Sequence, residues 1–347
     1  MTNDECRMTN ASLPLDAGQD AVVLIATYNR APLLARTLDT LAGTETSLRW
    51  SVVVIDNNST DDTERIVRSR AECYPVPLHY AVERRQGRSS ALNTGLGLTA
   101  APVIAFTDDD VIVPPGWLEA ACRPLVENRV EYTGGPVRPL WEVARPAWID
   151  MTRGDLWGTI AIQDHGVEPF IYEDRQKVPL GANMAVRRAL FDRIGGFRAE
   201  LGRTASGKIL GQEVPELLSR ARAAGACGLY VPAMEVHHHV PKNRLTKAYF
   251  RRWWYGKGVS RAALDRMRPV NELGVDLSRV PRLAGIPRFM WGSAARHVVQ
   301  YLRAWVTRSP TERALHEMML AYFAGYLGAT LQQAHTEEPP MAQAESI

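Results

Sequence analysis

The sequence predicts an α/β fold built on a parallel sheet, followed by a helical C-terminal extension. Three apolar segments, residues 21–26, 52–55 and 103–107, each end in polar residues and precede a helical pattern. Strands that alternate with helices favour a parallel sheet with helices on both faces. Their near-continuous apolar character is typical of strands buried on both sides. From Leu245 onward, long helical patterns dominate.

The predicted elements follow one another in regular order. The first strand ends in Thr27, Tyr28, Asn29 and Arg30, and a helix opened by Pro32 follows. The second strand ends at 56–59, where a Ser or Thr at 59–60 is a suitable cap for a helix to about residue 72. We predict further strands at 77–82, 103–107 and 181–186, and helices at 89–99, 115–125 and 214–224.

Composition excludes several classes of protein. The 347 residues are 46% hydrophobic and 23% charged, with 26 Gly and 22 Pro, which argues against disorder, collagen and a disulfide scaffold. The length predicts two domains, or one large domain with an appendage. The four cysteines form no CxxC pair, which favours reduced thiols. The polar N-terminal residues lack an apolar signal segment, and no apolar run approaches the ~18 residues of a membrane span, so we expect a cytoplasmic protein.

Three polar motifs, at 27–30, 56–59 and 108–110, follow predicted strands. In open parallel sheets, ligands bind outside the carboxyl ends of the strands. Asp108, Asp109 and Asp110 are consecutive carboxylates, which repel one another without a cation and suit Mg²⁺ or Mn²⁺ bridging to phosphate. The alternative for this motif is a solvated acidic turn.

Other side chains could serve the same site. Arg88 opens a helix, where guanidinium and amide groups suit phosphate; a solvated basic loop is the alternative. The consecutive histidines at 237–239 would alternate between faces of an extended segment, so one or two would face a site. Glu213 and Glu216 lie at a helix start, where the helix dipole favours them, or where one acts as a general base.

The C-terminal part is strongly basic. Residues 240–310 contain 15 Lys and Arg against 3 Asp and Glu, and aromatic residues interleave with them between 242 and 257. Such a mixture suits an anionic membrane surface. The alternative is a helical appendage whose aromatic residues pack on the sheet domain. We find no nucleic-acid-binding motif.

In order, the segments VVLIATYNR, VVVIDNNSTDDT, RRQGRSSALNTGL, VIAFTDDDVIVPPGWL, GANMAV, FDRIGGF and YVPAMEVHHHVP resemble inverting glycosyltransferases of family 2. The resemblance implies a GT-A fold, a Rossmann-like nucleotide-binding sheet with helices on both faces. It spans residues 21–241, with a nucleotide-sugar half at 21–128 and an acceptor half at 129–241. The expected remainder is a disordered leader at 1–20, a basic, aromatic helical extension at 242–334 and a disordered tail at 335–347.

The resemblance also implies a nucleotide diphosphate sugar donor, usually uridine-linked, and Mn²⁺ or Mg²⁺. It assigns Asp110 as the direct metal ligand, Asp108 to the ribose or a metal-bound water, and His238 as a further metal or diphosphate contact. Asp56 would read the edge of the base. The implied donor-binding residues are Thr27, Tyr28, Asn29, Arg30, Asp56, Asn58, Arg88, Asn93, Asp108 and Asp109.

The family's acidic base motif is altered in this chain, which has Gly-Gln-Glu-Val-Pro-Glu at 211–216. Alignment on Gly211 places Glu213 at the position of the base, whereas alignment on Glu216 places Val214 there. We assign Glu213, because valine cannot take a proton.

Two other functions remain open from the sequence. One is a phosphatase of the haloacid dehalogenase type, which the segment at 108–112 resembles. The other is a non-catalytic relative that binds nucleotide sugars or glycans. For the transferase we expect a glycan or lipid-linked acceptor and possible contact with the inner face of the cell membrane.

Overall fold

The computed structural model describes residues 15, 18–173, 177–201, 212–267 and 276–334. The predicted tail at 335–347, most of the predicted leader at 1–20, and Gly211 of the altered motif lie outside these residues.

The described residues form thirteen strands and nine α-helices. The strands are β1 (Ala21–Thr27), β2 (Trp50–Asp56), β3 (Leu78–Val82), β4 (Val103–Asp108), β5 (Val111–Ile112), β6 (Tyr132–Gly134), β7 (Val137–Trp141), β8 (Phe170–Ile171), β9 (Asn183–Arg187), β10 (Gly228–Tyr230), β11 (Val236–Val240), β12 (Arg282–Leu283) and β13 (Ile286–Pro287). The helices are α1 (Ala31–Leu41), α2 (Thr63–Ala71), α3 (Arg88–Leu98), α4 (Trp117–Val126), α5 (Arg188–Ile194), α6 (Glu213–Ala223), α7 (Lys247–Met267), α8 (Arg288–Val306) and α9 (Pro310–Ala334).

The central sheet has eight strands in the order β3-β2-β1-β4-β9-β6-β10-β8. Strands β3, β2, β1 and β4 are parallel, as the sequence predicts. The sheet as a whole is mixed, because β9 runs antiparallel to both β4 and β6. The strand-helix alternation that predicted a parallel sheet belongs to the first half of the chain, and β9 comes after it.

The two faces of the sheet carry separate cores, since alternate residues of a strand point to opposite sides. Val23 and Ile25 of β1 pack with α1 and α4 on one face. Val22 and Leu24 pack on the other face, with residues of α3, α5 and α6. Burial on both faces explains why these strands are almost entirely apolar.

The cap predicted for α2 is wrong. The helix begins at Thr63, and Asp61 Oδ1 accepts a hydrogen bond from the Thr63 amide at 3.1 Å. Ser59 and Thr60 instead bond to Asn29, at the end of the neighbouring strand. The tertiary contact between two loops therefore takes the residues that the local pattern assigned to the helix.

The C-terminal helices pack on the sheet domain through α7. Phe250 and Trp254 are buried in a cluster with Ile149, Leu156 and other residues of the segment before β8. The Trp254 indole donates a hydrogen bond to Thr159 Oγ1 at 2.9 Å. Helix α9 packs against both α7 and α8. Among the described residues, no helix is both long and apolar enough to cross a membrane.

Candidate active site

The predicted polar motifs meet at one edge of the sheet because of strand register. Thr27 at the end of β1 pairs with Asp56 at the end of β2, and Ala26 pairs with Asp108 at the end of β4. All three strands are parallel, so their carboxyl ends lie side by side. This edge is where open α/β sheets bind ligands.

Asp56 is fixed by two hydrogen bonds and is almost fully buried. Its Oδ2 accepts from the Tyr80 hydroxyl at 2.7 Å, and its Oδ1 accepts from the Ser59 amide at 2.8 Å. Burial, together with the bond to Asp56, raises the pKa of Tyr80, so the phenol stays protonated and keeps donating. The carboxylate is thus held in one orientation beside the open end of β1.

Sequence reasoning missed Asn57, which holds the next loop in place. Its Nδ2 donates to the carbonyl oxygens of Glu83 and Arg85 at 3.0 and 2.8 Å, and its Oδ1 accepts from the Gly87 amide at 2.7 Å. Gly87 has φ of 140°, a conformation that favours glycine. The only feature of the sequence that could have indicated a role for Asn57 is its position directly after a strand-end aspartate. It positions the loop that leads into Arg88.

The loops after β1 and β2 bind each other through Asn29, which bonds to Ser59 and Thr60. Asn29 Oδ1 accepts a hydrogen bond from the Thr60 backbone amide at 2.7 Å. The backbone amide of Asn29 donates to Ser59 Oγ at 2.9 Å. Asn29 and Asn58 both have positive φ, which asparagine adopts more readily than most residues. Tyr28 is 41% exposed, so its ring is accessible at this edge.

The three consecutive aspartates have different partners. Asp109 accepts from Thr27 Oγ1 at 2.7 Å, and Arg30 Nη1 bridges it to Asp110 at 3.0 and 2.9 Å. Asp109 and Asp110 are only 4% and 5% exposed, which rules out a solvated acidic turn. Asp108 is turned away from both and accepts from Arg88 Nη2 at 2.8 Å.

The electrostatics distinguish the two buried acids. Burial raises the pKa of Asp109 to about 6, although Arg30 opposes that shift. Burial also acts to raise the pKa of Asp110, but the imidazole of His238 and the guanidinium groups of Arg30 and Arg244 hold it below its usual value. The surroundings thus favour the charged form of Asp110 and disfavour that of Asp109.

His238 reaches Asp110 because β11 pairs antiparallel with β5, the short strand directly after the acidic motif. His238 is buried, whereas His237 and His239 are partly exposed, as the predicted alternation requires. His238 Nε2 lies 3.4 Å from Asp110 Oδ1. The Arg244 guanidinium lies 3.5 Å from the same imidazole nitrogen.

The side chains present fit a divalent cation at Asp110. Asp110 Oδ1 is buried and has no hydrogen-bond partner within the described structure, and an imidazole nitrogen lies beside it. Carboxylate oxygen with imidazole nitrogen is a donor set that suits Mn²⁺. In the described part of the chain, no three His, Cys, Asp or Glu side chains come close enough together to hold an ion. Of these donor groups, Asp110 and His238 lie side by side, and the Asp108 carboxylate is engaged with Arg88.

Arg88 links the acidic motif to the second half of the chain. Its Nη2 donates to Asp108, and its Nη1 lies 3.4 Å from Glu213 Oε1 at the start of α6. Burial acts to lower the pKa of Arg88, but the two carboxylates raise it, so the guanidinium stays charged. Gly181 makes room for it, because a Cβ there would lie 3.0 Å from both terminal nitrogens.

Glu213 and Glu216, both buried, have different surroundings. Glu213 Oε2 has no hydrogen-bond partner among the described residues. Glu216 instead accepts from Arg198 Nε at 3.0 Å and from Arg220 at 2.9–3.0 Å. Only Glu213 therefore has a carboxylate oxygen open to another group.

Asn93 lies in α3 and bonds to backbone that follows α5. Its Nδ2 donates to the carbonyl oxygen of Phe197 at 2.7 Å, and its Oδ1 accepts from the Phe197 amide at 2.8 Å. The side chain therefore holds two segments together, with one backbone partner at each of its two polar atoms.

Residues 22–195, half of the chain, match the family described as Glycosyl transferase family 2. The chain is 23% identical to the glucosyl-dolichyl phosphate glucuronosyltransferase of Haloferax volcanii, over 71% of this chain and 78% of that protein. It is 26% identical to the succinoglycan biosynthesis protein ExoM of Rhizobium meliloti, over 74% of this chain and 77% of that protein. It is 40% identical to the validoxylamine A glucosyltransferase of Streptomyces hygroscopicus subsp. jinggangensis over 28% of this chain, and spans 24% of that relative's length.

Two solved structures have a similar fold. One is the mannosyltransferase PcManGT from Pyrobaculum calidifontis in complex with GDP-Man and Mn²⁺, with a TM-score of 0.54, 22% identity, and coverage of 95% of this chain and 79% of that one. The other is GalNAc-T7 with UDP, GalNAc and Mn²⁺, with a TM-score of 0.51, 18% identity, and coverage of 73% and 52%. The sheet, its strand-end site and these matches agree: the chain belongs to glycosyltransferase family 2 and is a glycosyltransferase with a GT-A fold and a helical C-terminal extension.

Proposed function

We propose that this glycosyltransferase moves a sugar, with inversion, from a uridine diphosphate sugar to a hydroxyl group of a glycan or lipid-linked acceptor, with the help of Mn²⁺ or Mg²⁺. The observation that carries the proposal is the arrangement around Arg88. One guanidinium bonds to Asp108 of the acidic motif and lies against Glu213, whose other oxygen is buried without a partner. A proposed donor-binding acid and a candidate base thus contact the same guanidinium.

The nucleotide would bind at the ends of β1 and β2. Asp56 is held rigid by Tyr80 and Ser59, and each of its oxygens keeps a second lone pair for an N–H of the base. The exposed ring of Tyr28 would flank the base, with Thr27, Asn29 and Asn58 shaping the surrounding loops. Asn93 we assign to positioning the segment after α5.

The diphosphate would lie between Arg88, Arg30 and the metal ligands. Asp110 and His238 would hold the cation directly and Asp108 through a water molecule, with Asp109 supporting them through Arg30. When bound, a divalent cation offsets the negative charge that develops on the departing diphosphate. The names of both similar structures include Mn²⁺, which supports a metal-dependent reaction in this chain.

Glu213 would act as the general base. Its Oε2 takes the proton of the acceptor hydroxyl while that oxygen bonds to the anomeric carbon and the bond to the diphosphate oxygen breaks. One displacement from the opposite face inverts the anomeric configuration, and Glu213 ends protonated. Arg88 keeps the carboxylate oriented through Oε1. Glu216 is unsuited to this role, because Arg198 and Arg220 already occupy its oxygens.

The acceptor is proposed from the names of two relatives. The Haloferax relative is named for a dolichyl phosphate-linked sugar, and the Rhizobium relative for succinoglycan biosynthesis. Both names are consistent with a lipid-linked or polysaccharide-precursor acceptor here. We propose a location in the cytoplasm, in contact with the inner face of the membrane.

The experiment is a panel of nucleotide diphosphate sugars, tested with Mn²⁺ or Mg²⁺ while release of nucleotide diphosphate is followed. Wild type is compared with Asp110→Ala, Glu213→Gln and, as a matched control, Asp192→Ala on an exposed surface. We expect one donor to be hydrolysed slowly, with loss of metal-dependent release in Asp110→Ala. Glu213→Gln should still bind that donor, while transfer to an acceptor falls by about 10²–10⁴-fold.

Two results would oppose the proposal. If calorimetry detects no metal-dependent binding of any nucleotide sugar, the proposed assignment of the donor site is wrong. If the donor binds but no preparation releases nucleotide, with acceptor glycans or lipids present, the chain is a binding relative without catalysis. The family match and the GT-A-like fold argue against the haloacid dehalogenase alternative.

A further inference from the structure

Helix α8 has an apolar face that no part of the described chain covers. Its other face packs on α9, where Ala304 is buried and the ring of Trp291 meets Phe323 edge-on at 5.0 Å. On the uncovered side, Leu302 is 60% exposed and Val306 is 83% exposed. Large apolar side chains this exposed on one helix indicate an interaction surface.

The uncovered side chains form one continuous stripe. Ala295, Val299, Leu302 and Val306 follow one another at intervals of four, three and four residues, which places them on one side of a helix. Val298 extends the stripe by one position and is 46% exposed. We call these five residues the α8 stripe.

The charged side chains of α8 and of the segments directly flanking it in the sequence are all positive. Residues 280–311 contain five arginines and no Asp or Glu. Arg296 and Arg303 each come directly after a stripe residue, so both lie along the same edge of the stripe, and both are exposed. Trp305, at the C-terminal end of the stripe, is 56% exposed. An apolar stripe bordered by arginine and tryptophan is typical of a helix that lies in a lipid interface.

We propose that α8 binds flat on an anionic membrane surface, with the α8 stripe among the acyl chains and Arg296 and Arg303 at the lipid headgroups. A second copy of the chain fits less well. An isologous contact through α8 would bring arginines of the two copies together with no carboxylate on the helix to pair with them. Anionic lipid supplies the negative charge that this face lacks.

The sequence left open whether the basic, aromatic residues at 242–257 contact a membrane or pack on the sheet domain. Phe250 and Trp254 of that segment are buried against the sheet domain. Their packing leaves α8 as the exposed apolar and basic face of the extension. The inference concerns lipid binding and does not depend on the proposed donor or base.

The test is sedimentation of the full chain with vesicles of phosphatidylcholine alone or mixed with phosphatidylserine. We expect binding to the mixed vesicles only, weakening as salt is raised. Each arginine near an anionic surface raises the partition constant by about fivefold, so the double variant Arg296→Ser, Arg303→Ser should bind roughly 25-fold more weakly. Leu302→Asp with Val306→Asp should abolish binding.

Matched controls change equally exposed residues elsewhere. Arg65→Ser with Arg129→Ser removes two exposed arginines, and Val167→Asp places an acid on a side chain that is 78% exposed. We expect both control variants to bind the mixed vesicles as strongly as wild type does. We expect all variants to melt at the wild-type temperature. Wild type remaining in solution with phosphatidylserine vesicles would overturn the proposal, as would equal binding to phosphatidylcholine alone or unchanged binding by the α8 variants. A wild-type dimer that Leu302→Asp with Val306→Asp separates, without vesicle binding, would assign the face to a second copy.

Discussion

Replacement of Asn57 by alanine tests how the end of β2 organises the donor site. The side chain is buried and makes three hydrogen bonds of 2.7–3.0 Å to backbone groups of the loop between β3 and α3. Each such bond contributes about 1 kcal/mol net, so we expect Asn57→Ala to lower the free energy of unfolding by about 3 kcal/mol. For a chain of this size that corresponds to a melting temperature about 4 °C lower.

The same substitution should weaken donor binding. The loop that Asn57 holds ends at Gly87, directly before Arg88, whose guanidinium contacts Asp108 and Glu213. We expect KM for the donor to rise by about tenfold, because ordering the loop then costs binding energy on the order of 1.4 kcal/mol.

Thermal denaturation by circular dichroism and donor-saturation kinetics measure the two effects of Asn57→Ala. Asn243→Ala, at an exposed asparagine, is the matched control and should change stability by less than about 0.5 kcal/mol. If Asn57→Ala has the same melting temperature as the control and keeps the wild-type KM, other contacts hold the loop and the reasoning is refuted.

Three substitutions test other contacts near the site. Tyr80→Phe removes the hydroxyl that donates to Asp56 at 2.7 Å and should cost about 1 kcal/mol in urea denaturation; an unchanged midpoint would mean that the bond contributes nothing. Glu83→Gln should reduce the slope of the unfolding free energy against pH below about pH 4.5. Hydrogen bonds from the neighbouring arginine hold the pKa of Glu83 at about 2, below its ordinary value of 4.5, so its contribution is present above pH 4.5 and is lost as the pH falls toward 2. Equal slopes of unfolding free energy against pH for both proteins would contradict this. Gly135→Ala should destabilise by about 1–3 kcal/mol or more, since its Cβ would lie 1.9 Å from a backbone oxygen. Gly97→Ala, with no atom within 4 Å of its Cβ, is the control and should leave the protein equally stable or more stable. If the two glycine variants melt at the same temperature, the backbone around Gly135 moves to accept the added Cβ at no cost.

The sequence by itself determined the fold of the first half of the chain. The apolar strands and the polar residues that end them are neighbours in the chain, so their pattern is local and readable. Because β1, β2 and β4 are parallel, a strand-end position in the sequence was also a position at one edge of the sheet. The location of Thr27, Asp56 and Asp108 therefore followed from hydrophobic patterning.

Only the tertiary structure decided which distant side chains meet. Pairing of β11 with β5 places His238 beside Asp110, and the packing of α6 places Glu213 beside Arg88. No local pattern specifies such contacts, because they depend on which elements pack together.

The tertiary structure also decided which apolar side chains are buried. Helices α7 and α8 both combine apolar and basic residues, yet α7 packs on the sheet domain and α8 leaves one face uncovered. Amphipathic spacing predicts that a helix has an apolar face. What covers that face is set by the neighbouring elements, and the amino-acid sequence of the helix does not contain that information.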